Sequence, residues 1–85
     1  MKVLVKITIR HKSQRERFET SLTNNLFVFA VEDDYFLDNE KDYQVVYSIN
    51  ALGKTDSEFI KDLRTVFLDN LESLPAFLLG VMFNG

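Results

Sequence analysis

Residues 2–10 alternate strictly: Val3, Val5, Ile7 and Ile9 interleave with Lys2, Leu4, Lys6, Thr8 and Arg10. A period of two is that of an extended chain, whose successive side chains point to opposite faces. The spacing therefore predicts a strand over 3–10 with one face on a core. The alternation returns at Tyr43, Val45, Tyr47, Ile49 and Ala51 against Gln44, Ser48 and Asn50, and predicts a strand over 43–52 that Gly53 ends.

Each of these strands is followed by a helix signal. Ser13-Gln14-Arg15-Glu16 has the form of a capping box, in which a hydroxyl accepts from the N3 amide and the acid reaches back. Phe18 and Leu22 then give a narrow apolar stripe, and Asn24-Asn25 can supply a left-handed stop. Thr55-Asp56-Ser57-Glu58 is the second box. It opens the stronger helix, with Phe59, Leu63, Val66, Phe67, Leu71 and Leu74 at helical spacing. Asp56 and Glu58 suit the positive end of that helix, and Pro75 should stop it near Leu74.

Two apolar runs complete the pattern. Leu26–Val31 reads as a strand, and so does 77–83, where Gly80 suggests a bulge; the alternative for the latter is a short second helix beginning at Pro75. Between the halves, Glu32 to Asp42 is acidic, with a turn expected at Asp38-Asn39-Glu40-Lys41. Strand, helix, strand is thus written twice, which predicts an α+β fold of ferredoxin-like, split βαβ type: four antiparallel strands carrying two helices on one face. The competing assignment makes 14–23 a strand, since Glu16, Phe18, Thr20 and Leu22 also alternate. Asn24-Asn25 would then turn a hairpin, and the result is a four-stranded meander followed by the C-terminal helix.

Eighty-five residues predict a single domain over 1–85 with a thin core, burying roughly 60–65% of the unfolded surface. The absence of cysteine excludes disulfides, thiolate nucleophiles and cysteine metal sites. A small domain without such staples relies on packing or on a partner subunit. It also fits a cytoplasmic location. Met1-Lys2 leads straight into the strand pattern rather than into a signal peptide, and the run 77–83 is too short to span a bilayer, so no membrane association is expected.

The sequence favours a non-enzymatic protein. His11 follows the first strand among cations, with no carboxylate beside it in sequence. The acids Glu32, Asp33, Asp34, Asp38, Glu40 and Asp42 do not follow a calcium-loop spacing, and Lys41 would repel a cation; they read as a solvated hairpin, and no metal is expected. The glycines Gly53, Gly80 and Gly85 are isolated, so no phosphate or dinucleotide cradle can form and no cofactor is expected.

Charge and apolarity carry the functional expectations. Residues 1–17 hold six basic residues against Glu16 alone, while the remainder holds four against twelve acids, within a net charge of −3. Lys2, Lys6, Arg10, Lys12, Arg15 and Arg17 form a basic strip that could take an anion, and a nucleic-acid-associated role is the alternative reading. A sequence pI near 5.0 and the lack of aromatics beside Leu4, Lys6, Thr8, Val46 and Ser48 count against it. More telling is that the runs 26–31 and 77–83 are apolar at every position, so two helices on one face would leave apolar surface on the other. The leading expectation is therefore a protein–protein interaction module of inhibitory or regulatory type, homodimeric or bound to another protein. Leu4, Phe27, Phe29, Val46, Leu78 and Met82 would form its interface, with Asp33, Asp34, Asp38 and Glu40 as an acidic rim.

Overall fold

The computed structural model describes residues 1–36 and 42–71. Burial in β1 (Lys2–Ile9) alternates at every step, with Val3, Val5, Ile7 and Ile9 inward. The chain continues through α1 (Lys12–Asn24), β2 (Val28–Phe36), β3 (Tyr43–Asn50) and α2 (Asp56–Asn70). These elements make an α+β fold with a three-stranded antiparallel sheet in the order β1-β3-β2. Since β3 runs antiparallel to both neighbours, β1 and β2 are parallel to each other, with β3 inserted between them.

The helical reading of 14–23 holds, and the meander does not. Phe18 and Leu22, four apart, are fully buried, and β1 lies beside β3 rather than beside its successor in sequence. The predicted strand over 77–83, with Leu78, Gly80 and Met82, and the turn carrying Asp38 and Glu40 lie outside the described residues.

One face of the sheet meets both helices. Val3, Val5, Ile7, Ile9, Val45, Tyr47 and Ile49 pack with Phe18 and Leu22 of α1 and with Phe59, Leu63, Val66 and Phe67 of α2. Aromatic rings join the layers. Phe18 stacks on Phe67 at 5.5 Å between centroids and tilts against Tyr47 at 5.2 Å, and Phe27 meets Phe59 edge-on at 5.2 Å. Such pairs add about 0.5–1.5 kcal/mol each beyond burial, a large share for a core this small.

The two helix starts differ. At α2 the box forms: Thr55 Oγ1 accepts from the Glu58 amide at 3.1 Å while Glu58 Oε1 accepts from the Thr55 amide at 3.4 Å. At α1 the expected box at Ser13 is absent. His11 is the N-cap and makes no side-chain cap bond, because the helix begins two residues before the hydroxyl could serve it. Gln14 takes over: its Oε1 accepts from the Arg10 amide at 3.1 Å, and its Nε2 donates to the Asn70 carbonyl at 3.3 Å, tying the start of α1 to the end of α2.

The end of α1 also departs from expectation. The left-handed residue is Leu26, φ 66°, rather than Asn24 or Asn25. The Phe27 amide donates to Leu22 O at 3.0 Å and the Leu26 amide to Thr23 O at 3.1 Å, the paired bonds of a Schellman cap. Phe27 thereby turns inward over Leu22, both buried.

This cap sets the phase of β2 and corrects the sequence expectation for Phe27 and Phe29. Neither lies on the outer face. Phe27 is 4% exposed in the core, and Phe29 is half-buried with its ring edge-on to Tyr47. The acidic segment is also partly strand: β2 runs through Glu32, Asp33, Asp34 and Tyr35 to Phe36, paired with β3 throughout except for an irregularity at Glu32. That bulge inserts one residue and exchanges the faces beyond it. Phe29 and Val31 share the helix side with Asp34 and Phe36, while Val28 and Ala30 share the outer side with Asp33 and Tyr35.

Candidate functional site

The face of the sheet opposite the helices is ordered in four cross-strand rows, fixed by the register of β3 with its two neighbours. Lys2, Asn50 and Val28 form the first. Leu4, Ser48 and Ala30 form the second, Lys6, Val46 and Asp33 the third, and Thr8, Gln44 and Tyr35 the fourth. None of the twelve is buried, and Leu4 and Val28 are 63% and 61% exposed. The last row is linked by hydrogen bonds, Tyr35 Oη donating to Gln44 Oε1 at 2.8 Å and Gln44 Nε2 to Thr8 Oγ1 at 3.5 Å.

Two of the described residues expected at an interface, Leu4 and Val46, stand on this face. Phe27 and Phe29 are replaced by Val28 and Ala30, which were missed. An all-apolar run carries no alternation, so nothing local says which of its residues point outward. The face is consequently less greasy than expected: small and aliphatic side chains occupy its middle, with Lys2 and Lys6 along β1 and Asp33 along β2. Asp33 belongs to it, whereas Asp34, the other described member of the predicted rim, turns to the helix side.

On that side a polar cluster pins α1 to the sheet. Glu19 Oε2 accepts from Tyr47 Oη and from Arg15 Nε, each at 2.7 Å, and Arg15 Nη1 reaches Asp34 Oδ2 at 3.4 Å. Burial and the bond to Glu19 push the Tyr47 hydroxyl well above the ordinary tyrosine range. The same glutamate, ahead of a contribution from Tyr43, holds the Arg15 guanidinium firmly charged. These bonds join α1 to β2 and β3, so the cluster acts as a fastening.

The basic strip is divided by the fold. Lys2 and Lys6 lie on the open face, Arg15 is held by Glu19 and Asp34, and Lys12 and Arg17 lie on α1 with Arg10 in the turn before it. Arg10, His11 and Arg17 border an open depression of ≈ 410 Å³ that Asp69 also lines, so the site does not collect charge of a single sign. Among the described residues no three His, Cys, Asp or Glu side chains gather as a metal centre requires. Also among them, no helix is long and apolar enough to cross a membrane.

No family model matches the chain, and comparison with curated proteins and with solved structures gives no significant match.

Proposed function

We propose that this chain is a small non-enzymatic protein–protein interaction module, inhibitory or regulatory in type, that works by presenting the open face of its sheet, in the first place to another copy of itself. The observation that carries the reading is the four-row outer face, with Leu4 and Val28 exposed beside Val46, Ser48 and Ala30 while both helices pack on the other side. A face with aliphatic residues towards its middle and charges along its margins has the layout of an interface core and polar rim. The edge of β2 away from β3, unpaired among the described residues, is a poorer docking element, because Glu32, Asp33 and Asp34 stand in sequence there and the bulge disrupts its ladder.

The proposal includes a finer fold assignment, a ferredoxin-like sandwich with 77–83 as a fourth strand. The order β1-β3-β2 with β1 parallel to β2 supports it. A cytoplasmic location is part of the same reading, supported by the lack of cysteine. Nucleic-acid binding has less behind it, since the six cations are spread over several surfaces and one of them is spent on Glu19 and Asp34.

Sedimentation velocity over a chain concentration from about 1 μM to 1 mM, the range of weak interfaces, tests the reading. The native chain is expected to sediment faster as concentration rises, and Leu4→Glu to remain monomeric. A native chain that stays monomeric throughout that range contradicts self-association.

A further inference from the structure

The placement of charge on the open face says which way a second copy would lie. In the third row Lys6 and Asp33 flank Val46 from opposite sides. Both are exposed, and among the described residues neither meets an ion-pair partner. Two strand spacings of about 4.8 Å separate their backbones, with Val46 between.

We infer that two copies of this chain pack outer face to outer face about a two-fold axis parallel to β3, so that Lys6 of each copy meets Asp33 of the other. The inference rests on the interaction reading above and adds its geometry. Rotation about such an axis lays β1 over the partner's β2 and β3 over the partner's β3, and each row meets itself reversed. Val46 then meets the partner's Val46 at the centre. Leu4 covers the partner's Ala30, and the aliphatic stem of Lys2 lies on the partner's Val28. Ser48 and Ala30, both small, let the sheets approach in the middle.

The other face-to-face two-fold, perpendicular to the strands, fails on charge. With its pivot on the third row it sets Lys6 on Lys6 and Asp33 on Asp33. Shifted half-way to the second row, it sets Lys6 on Leu4 and Asp33 on Ala30, which strips water from both charges without pairing them. Of these two axes, the one along β3 brings Lys6 and Asp33 together in an isologous contact.

The size of the face sets the expected strength. The three described strands, eight or nine residues at about 3.3 Å each and set about 4.8 Å apart, give a surface of roughly 26 by 14 Å. Association would bury about 500 Å² per chain, below the ~800 Å² of a standard interface, so the dimer expected is a weak one.

The test uses sedimentation equilibrium on the full chain and on Lys6→Asp and Asp33→Lys, alone and mixed, with far-UV circular dichroism to establish that these surface variants fold. Each single variant carries like charges at both symmetry-related contacts and should dimerise about tenfold or more weakly than the native chain. Mixed in equal amounts they should associate with each other at near-native affinity, because every contact then pairs Asp with Lys. If the native chain dimerises and Leu4→Glu abolishes it, but the mixture is no stronger than either variant alone, this geometry is overturned and the interaction reading stands. If the native chain never dimerises, both fall.

Discussion

Leu26 closes α1 in the left-handed region at φ 66°, where its Cβ is crowded by backbone. An L-residue with a side chain gives up about 1–2 kcal/mol there, and its own side chain, 73% exposed, recovers little by packing. Leu26→Gly should therefore raise stability by about 1 kcal/mol, seen as a higher urea midpoint with unchanged slope. A lower midpoint would mean that the leucine packs more than its exposure indicates. Tyr47 makes a different prediction. Its hydroxyl is held neutral above the ordinary value of 10.0, so its contribution is fully present below pH 10. Above that pH it declines, because the unfolded chain ionises first, at up to about 1.4 kcal/mol per pH unit. Tyr47→Phe should cost about 1–2 kcal/mol at pH 7 through the lost bond to Glu19 and should flatten the alkaline limb of a stability–pH curve. An alkaline limb unchanged by the substitution would remove Tyr47 as its source.

At the scale of elements, the two helix starts offer a paired experiment. Thr55→Ala leaves the Glu58 amide without its acceptor and should cost about 1 kcal/mol, with Thr55→Ser retaining most of it. Ser13→Ala should stay within about 0.5 kcal/mol of the native chain, because Ser13 lies inside α1 and His11 is the cap. Urea denaturation of the three variants measures the contrast, and equal losses at both positions would contradict the cap assignment. The same scale accounts for β2. Its pairing with β3 carries acidic residues into a strand because Tyr35 and Phe36 beyond them still find partners: Tyr35 bonds Gln44, and Phe36 lies 5.9 Å from the Tyr43 ring.

At the scale of the whole molecule, the core among the described residues is two helices on one face of three short strands, and self-association would couple to its stability. A native state that dimerises is favoured by mass action, so a tenfold rise in chain concentration should lift the thermal midpoint by about 3 °C once it exceeds the dissociation constant. Leu4→Glu should abolish that dependence. Calorimetry at three concentrations reads it directly, and a midpoint equally insensitive in both chains would separate stability from association. The face in question was half legible beforehand. Leu4 and Val46 lie in strands whose alternation assigns every residue a side, whereas Val28 and Ala30 lie in a run with no alternation.

What the chain's own order of residues determined was local: the strands at β1 and β3, the start of α2 at Thr55, the buried stripe of α1 and that of α2 from Phe59 to Phe67, and the α+β class. Each follows from a periodicity or a cap complete within a few neighbouring residues. Only the tertiary structure decided the side on which β2 turns its residues, because that depends on the left-handed Leu26, which turns Phe27 into the core against Phe59, and on the bulge at Glu32, which answers to pairing with β3. It likewise decided that Arg15 meets Asp34 while Lys6 and Asp33 share one row, since residues so far apart in sequence become neighbours only when the sheet forms.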